Sequence, residues 1–311
     1  MTSITASLLL VGCVEYSIQD PDADAVLPTV YEERFVQTPL PKLDILFVVD
    51  STGSMAEEQA SFADAADSFV AVLEQRAVAY QLGVTTTDPA LDGALLGRPW
   101  IITGAAGDPA DALAAALEVG SDSPPPAAGL YSASRALADP QGVNRGFRRP
   151  DASLHVVFVS DGDDASDDLF GEDPAAAFLA VLAEDAARSG RTARASAVVG
   201  DAPAGCSGSA GDAQAGVRYR EVAAATGGVS ASICEADFAA VASALGDAGV
   251  EWPTVFPLRA LPADGTLLVE VDGDRVLEGW SLDTTAPALV FAVAPAPDSV
   301  IDVLYTVAEA P

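Results

Sequence analysis

Hydrophobic positions follow two patterns along the chain, and the change between them marks two structural units. From residue 42 to 250, continuous apolar runs alternate with segments whose apolar residues recur every three or four positions. Continuous runs are typical of buried parallel strands, and the longer spacing is typical of helices packed on a sheet. From residue 251 to 311 the runs are shorter and turn signals such as Asp272-Gly273 separate them. We therefore predict an α/β unit, with a doubly wound, mostly parallel sheet flanked by helices, and then a small antiparallel β unit.

The first 41 residues continue neither pattern. Residues 4–11 form a short apolar run that ends in Leu10-Val11-Gly12-Cys13, which resembles the lipobox where bacterial lipoproteins are cleaved and lipidated. The run is too short to span a bilayer and is typical of a signal peptide. We predict a signal peptide over residues 1–12, a lipid on Cys13 and a tether over residues 13–41, with an incidental cysteine as the alternative. The expected location is the bacterial cell envelope, either lipid-anchored, with the outer membrane favoured, or exported.

Two segments within the α/β unit give further expectations. The apolar spacing from Glu57 to Arg76 predicts one long amphipathic helix. Residues 139–152 form a loop in which Arg145, Arg148 and Arg149 cluster. We predict that this loop is solvated, with a partner contact as the alternative.

Oxygen-bearing side chains follow two of the predicted strands. The apolar run 43–49 leads directly into Asp50, Thr52 and Ser54, and the apolar run 154–159 leads into Ser160 and Asp161. Ligands of open α/β sheets bind just beyond the carboxyl ends of the strands. Carboxylate and hydroxyl oxygens are ligands that hard divalent cations prefer. The pattern therefore predicts a cation site at this edge of the sheet.

The order of these segments resembles the von Willebrand factor A domain with its metal-ion-dependent adhesion site. The resemblance covers residues 42–250 and implies the Rossmann-like fold of that family. It implies that Asp50, Thr52, Ser54 and Asp161 hold a divalent cation, directly or through water. Mg²⁺ is expected first, with Mn²⁺ or Ca²⁺ as alternatives. In the family, an acidic group from a protein partner completes the coordination.

One position departs from the family pattern. The family's remaining ligand is a Thr in the loop before the helix that precedes the second site strand, and residues 120–126 contain none. Ser123, or otherwise Ser121, is the predicted substitute. A second group of acids, residues 163–168, could hold another cation, although a solvated acidic loop is favoured. Residues 85–88 could support the cation indirectly, although an ordinary turn is favoured.

The charge of the chain excludes some partners. The 311 residues carry 46 acids and 15 bases, a formal net charge of −31. Such a chain repels nucleic acids and anionic membrane surfaces, so we expect membrane contact only through the lipid anchor. The same charge is also typical of an acidic proteome, and composition does not separate the two interpretations.

The two remaining cysteines are predicted to form a disulfide. Export would place Cys206 and Cys234 in an oxidising compartment, and neither has the close Cys or His neighbours of a zinc site. Two free buried thiols are the alternative.

A binding function fits the sequence better than a catalytic function does. Asp50-Ser51-Thr52-Gly53-Ser54 also resembles the nucleophile motif of haloacid-dehalogenase phosphohydrolases, but those enzymes need a later lysine and Lys42 is the chain's sole lysine. A Ser-His-Asp hydrolase would need His155, which lies inside an apolar strand. We therefore expect a cation-dependent adhesion module and no enzyme, with a structural envelope protein lacking a working metal site as the alternative.

Overall fold

The structure, a computed structural model, describes residues 29–37, 41–105, 107–138, 141–208, 211–235, 237–249 and 252–307. Its strands, in chain order, are β1 (Val30–Val36), β2 (Lys42–Val49), β3 (Ala79–Thr86), β4 (Ser153–Ser160), β5 (Ala193–Val199), β6 (Cys206–Ser207), β7 (Asp212–Ala213), β8 (Ser230–Ser232), β9 (Val255–Pro257), β10 (Leu268–Val271), β11 (Asp274–Arg275), β12 (Trp280–Asp283), β13 (Ala288–Phe291) and β14 (Val300–Thr306). Its α-helices are α1 (Ala56–Ala63), α2 (Ala66–Gln75), α3 (Pro109–Leu117), α4 (Gly129–Ala138), α5 (Asp167–Phe170), α6 (Pro174–Ser189), α7 (Val217–Ala225) and α8 (Phe238–Gly249). None of the helices in the described ranges is long and apolar enough to cross a membrane.

A parallel sheet with the order β3-β2-β4-β5-β8 forms the centre of the larger unit. Side chains alternate along β2, so that Ile45 and Phe47 join one apolar layer and Leu46 and Val48 join the other. Both faces of the sheet are therefore buried beneath helices, as a continuous apolar strand requires. The predicted doubly wound α/β fold is confirmed. Because the chain passes from β2 outward to β3 and then back to β4, the strand order reverses between β2 and β4, which is where such sheets bind ligands.

One helix of this unit differs from the sequence-based prediction. The single helix predicted from Glu57 to Arg76 is divided into α1 and α2 at Asp64 and Ala65. There the N–H of Ala65 donates to the carbonyl of Phe62, so the hydrogen bond spans three residues, as in a 3₁₀ turn, where an α-helix would span four. The loop after β3 adds two isolated antiparallel bridges to the sheet edge, at Leu96 and at Ile102.

Two antiparallel sheets form the smaller unit. One has the order β1-β14-β10-β11 and the other has the order β12-β13-β9. Their apolar faces share one core that includes Phe256, Leu289 and Tyr305. The predicted Asp272-Gly273 hairpin is confirmed: it joins β10 to β11, with φ of 55° at Asp272 and 85° at Gly273. Positive φ at both central residues is the type I′ geometry that matches the twist of paired strands.

Strand β1 belongs to this smaller unit and corrects the predicted tether. It pairs with β14 over seven positions, from Val30 opposite Thr306 to Val36 opposite Val300. The tether prediction is therefore wrong for residues 30–36. The alternating inward positions Tyr31, Glu33 and Phe35 explain the strand, because every second side chain faces the core. The rest of the predicted tether up to residue 28, Cys13 and the predicted signal peptide lie outside the described residues.

The smaller unit packs at the amino-terminal edge of the parallel sheet. A surface cavity of about 140 Å³ lies between the two units and is lined by Ser153, Thr192 and Trp252 among others. Ser153 begins β4, whereas Ser160 ends it. The cavity therefore lies at the amino-terminal end of β4.

The arginine cluster is not a solvated loop, and that prediction is corrected. Arg148 is buried and forms ion pairs with Asp44 Oδ2 at 3.0 Å and with Asp185 Oδ2 at 2.6 Å. Arg149 Nε lies 2.7 Å from Asp44 Oδ1. Arg145, in contrast, is exposed. The cause of the burial is Asp44, an acid inside the apolar strand β2, which requires a cationic partner.

His155 is a buried core residue, as its place in an apolar strand suggested. Its Nε2 lies 2.8 Å from the hydroxyl of Ser196, and its Nδ1 has no hydrogen-bond partner in the described structure. Burial, assisted by the charge of Arg194, lowers the pKa of His155 from 6.5 to about 3. The folded protein therefore holds a neutral imidazole throughout the physiological range.

We predict that the imidazole will not titrate near pH 6.5. Because the folded pKa lies below the unfolded value, the stability that the neutral ring contributes is fully present above about pH 6.5 and is lost as the pH falls to about 3. The chain contains one histidine, so a single imidazole resonance can be followed by NMR. The expected result is a neutral chemical shift down to about pH 4, or until the protein unfolds. A titration midpoint near 6.5 would contradict the burial of this ring.

Candidate functional site

Asp50 is fixed at the end of β2 by hydrogen bonds from three neighbours. The hydroxyl of Ser160 donates to Oδ2 at 2.6 Å. The N–H of Thr52 and the hydroxyl of Thr87 donate to Oδ1, at 2.9 and 3.3 Å. Asp50 is 1% exposed, so these bonds hold its carboxylate in one orientation inside the protein.

Gln59 of α1 fixes the backbone of the same loop. Its side-chain amide donates to the carbonyls of Asp50, at 2.7 Å, and of Gly120, at 2.8 Å. The N–H of Gly120 donates back to Oε1 of Gln59 at 3.2 Å. One side chain therefore joins the Asp50 loop to the loop that begins at Gly120.

Asp161 follows β4 and lies beside Asp50. Its side chain is buried and accepts a hydrogen bond from the hydroxyl of Ser54. Burial raises the pKa of the Asp161 carboxyl, the hydrogen bond from Ser54 lowers it, and the nearby charge of Asp50 raises it further. The structure therefore brings Asp50, Ser54 and Asp161 together, with Asp50 and Asp161 close enough for their charges to repel.

Ser123 lies next to the site loop, against Ser51. Its N–H donates to the carbonyl of Ser51 at 3.0 Å, and the two hydroxyls lie 2.9 Å apart. The Ser123 hydroxyl also donates weakly to Asp88 Oδ2 at 3.4 Å. Thr52 is half-buried in the same loop. The role of Thr52 and Ser123 as metal ligands stays a prediction.

The acidic loop after Asp161 is solvated in part, because Asp167 and Asp168 are exposed while Asp164 is buried. Asp164 is buried and accepts from the N–H of Leu130 at 2.9 Å, at the start of α4. Asp163 accepts from the N–H of Arg218 at 2.9 Å, and Asp167 pairs with the guanidinium of Arg218 at 2.6 Å. These acids orient the helices that surround the site.

The sequence pattern gave little signal for Thr87 and Glu58. Thr87 belongs to the segment predicted as an ordinary turn, and its hydroxyl donates to Asp50 at 3.3 Å. Indirect support of a cation by this segment stays a prediction. Glu58 lies on the amphipathic helix, where an acid normally faces solvent, yet it is 3% exposed. The burial of Glu58 could not be predicted from the local sequence, because the residue that packs against it, Gly211, lies about 150 residues later in the chain.

A short hairpin, held by a disulfide, covers this side of the site. Cys206 in β6 and Cys234, just after β8, are joined by a disulfide. Strands β6 and β7 pair in the hairpin, and the N–H of Gln214 then donates to the carbonyl of Asp161 at 2.7 Å. The hairpin thus attaches directly to the residue that follows β4.

The chemistry of the donor set fits a hard divalent cation. Asp50 and Asp161 are carboxylates, and Thr52 and Ser54 add hydroxyls. Within the described structure, no Lys, Arg or His forms an ion pair with Asp50 or Asp161, whereas the buried Asp44 and Asp185 both have arginine partners. No group of three or more His, Cys, Asp or Glu side chains arranged for a metal is found in the described ranges. The arrangement therefore offers two carboxylates and two hydroxyls at the carboxyl edge of the sheet.

Comparisons with known proteins were made with both sequence and structure. No protein-family model matches this chain. No curated protein sequence matches it either. A solved structure of a von Willebrand factor type A protein from Catenulispora acidiphila is similar over 93% of this chain and 67% of that chain, with 15% identity and a TM-score of 0.42.

Two further solved structures are similar in part. The pilus adhesin SpaC from Lactobacillus rhamnosus GG matches over 89% of this chain, with 14% identity and a TM-score of 0.39. Proximal thread matrix protein 1 from the mussel byssus matches over 68% of this chain, with 13% identity and a TM-score of 0.38. The match spans 41% of the pilus adhesin and 48% of the byssus protein.

Proposed function

We propose that this protein is a binding module of the von Willebrand factor A type, which engages an acidic group of a protein partner through a divalent cation. The observation that supports the proposal is the pair of buried carboxylates, Asp50 and Asp161, side by side at the carboxyl edge without a basic partner in the described structure. Two such charges in a buried site repel each other, and a cation between them would remove that cost.

The residues at the site have two roles: some orient Asp50, and others offer oxygen atoms to a cation. Ser160, Thr87 and the backbone of Thr52 orient Asp50, so its remaining lone pairs point in a fixed direction. Thr52 and Ser54 add neutral hydroxyl oxygens, which leave the site less negative than a set built of carboxylates alone. A bound divalent cation would supply positive charge and an open coordination position for the acidic group of the partner.

Binding accounts for the site better than catalysis does. The single histidine lies in the core at His155, and the sole lysine, Lys42, begins β2 at the opposite edge from Asp50. A phosphohydrolase or a Ser-His-Asp hydrolase would need one of these beside the reacting group. Attachment to the cell envelope through a lipid on Cys13 is part of the proposal.

Calorimetry with Mg²⁺, Mn²⁺ and Ca²⁺ tests the cation site. We expect the wild type to bind at least one of these ions and Asp50→Asn to bind it about 100-fold more weakly, because the substitution keeps the shape of the side chain and removes a charged ligand. Asp122→Asn is the matched control, since Asp122 is an exposed acid in the neighbouring loop. Equal binding in wild type and Asp50→Asn, or no binding in either, would contradict the proposal.

The partner is tested in a second experiment. Wild-type protein incubated with an envelope extract should retain a partner in Mg²⁺ and release it in chelator, and Asp50→Asn should retain none. Retention that chelator does not change would show that the partner binds elsewhere. A wild type that binds no cation would instead favour a purely structural envelope protein.

A further inference from the structure

Glu58 is a buried acid whose environment differs from that of the other buried acids. It is 3% exposed, and its Oε2 atom has no hydrogen-bond partner in the described structure. No Lys, Arg or His of the described residues pairs with it, in contrast to Asp44 and Asp185. An unpaired buried carboxylate is costly unless it takes up a proton or lies near a cation.

The hairpin places Glu58 beside the proposed cation site. Gly211 packs against Glu58 so closely that a Cβ at this position would lie 2.9 Å from Oε1. Three residues later, the N–H of Gln214 donates to the carbonyl of Asp161. From the other side, Met55 begins the turn into α1, and its sulfur accepts from the N–H of Asp161 at 3.2 Å. Glu58 and Asp161 are thus enclosed by the same hairpin and the same helix.

The electrostatics agree with this geometry. Burial raises the pKa of Glu58, its own backbone N–H lowers it, and the charge of Asp161 raises it, followed by that of Glu57. Asp161 also experiences the charge of Asp50. The three carboxyl groups therefore interact electrostatically, Glu58 with Asp161 and Asp161 with Asp50.

We propose that Glu58 is a third acid of the cation site, which acts on the bound ion through its charge and through water from outside the direct ligand set. The inference rests on the proposed function, because it assigns Glu58 to the same ion. We place it outside the direct ligand set because its connection to Asp161 runs through the shared hairpin and the start of α1. An acid in this position would add negative charge beside a bound divalent cation and would accept hydrogen bonds from water on that ion.

Calorimetry with Mg²⁺, Mn²⁺ and Ca²⁺ on Glu58→Gln tests the inference. The substitution keeps the size of the side chain and removes its charge, and the dissociation constant should rise about 10-fold or more, as for other outer partners of metal sites. Glu57→Gln is the matched control, because Glu57 is the exposed neighbour of Glu58 on the same helix. We expect Glu57→Gln to bind like the wild type.

A second variant tests the position of the carboxylate with its charge retained. Gly211→Ala would push Oε1 of Glu58 aside and should weaken cation binding by a smaller factor. Thermal melts without added metal show whether each variant is folded. If Glu58→Gln binds like the wild type while Asp50→Asn does not, Glu58 carries a proton and the inference fails with the proposed function intact. If the wild type binds no ion, the proposed function fails first.

Discussion

Replacing Arg148 with alanine should lower the free energy of unfolding by about 3–5 kcal/mol, the range for breaking a buried ion pair. Arg148 is the cation between two acids, Asp44 at 3.0 Å and Asp185 at 2.6 Å, and both acids are almost completely buried. The variant leaves Asp185 with the exposed Arg188 and Asp44 with Arg149. The loss arises mainly because each of these acids stays buried with one cationic partner in place of two.

Urea denaturation followed by circular dichroism measures this effect. Arg145→Ala is the control from the same loop, because Arg145 is exposed and should change the stability by less than about 0.5 kcal/mol. Equal stability of Arg148→Ala and Arg145→Ala would show that the loop is solvated after all. A loss confined to Arg148→Ala would show that the loop anchors the amino-terminal end of β2.

Removing the disulfide should have the second large effect, about 3–4 kcal/mol in the chain-entropy model. The bond joins Cys206 and Cys234, which are 28 residues apart, and the closed loop contains the β6–β7 hairpin, α7 and β8. Without the bond, the unfolded chain gains freedom, and the hairpin loses its fixed connection to the end of β8. Because Gln214 of the same segment donates to Asp161, we also expect weaker cation binding in the double variant Cys206→Ser/Cys234→Ser.

Reductant provides the control for this prediction. Dithiothreitol should lower the stability of the wild type to that of the double variant and should leave the double variant unchanged. Peptide mapping of the unreduced wild type should yield one linked pair that contains both cysteines. Free thiols at both positions would contradict the bond.

The parts of the site that could be predicted are those that the local sequence determines. Asp50 and Asp161 each follow a continuous apolar run, and parallel pairing of β2 with β4 then brings them together without further information. The hydrogen bond from Thr87 to Asp50 could not be predicted in this way, because it depends on the pairing of β2 with β3.

Burial that depends on distant segments could not be predicted. Arg148 and Arg149 lie in a segment whose composition is typical of a solvated loop. They are drawn into the interior by Asp44 of β2, about 100 residues earlier in the chain. Strand β1 was predicted as part of a tether for a similar reason, since its pairing partner is distant in the sequence. Its partner β14 lies at the other end of the chain, so a short alternating segment next to a proline-rich stretch resembled a tether.

The pairing of β1 with β14 has a consequence for synthesis on the ribosome. Val36, the last residue of β1, pairs with Val300, so the strand leaves the ribosome long before its partner exists. At about 5–20 residues per second, the delay is on the order of 10–50 s. The whole parallel sheet can form in that interval, while the inward positions of β1, Tyr31 and Phe35, still lack the core against which they pack. The nascent chain therefore carries an unpaired, aggregation-prone strand β1 until β14 is synthesised. A chaperone that binds this strand would protect the protein from aggregation during that time.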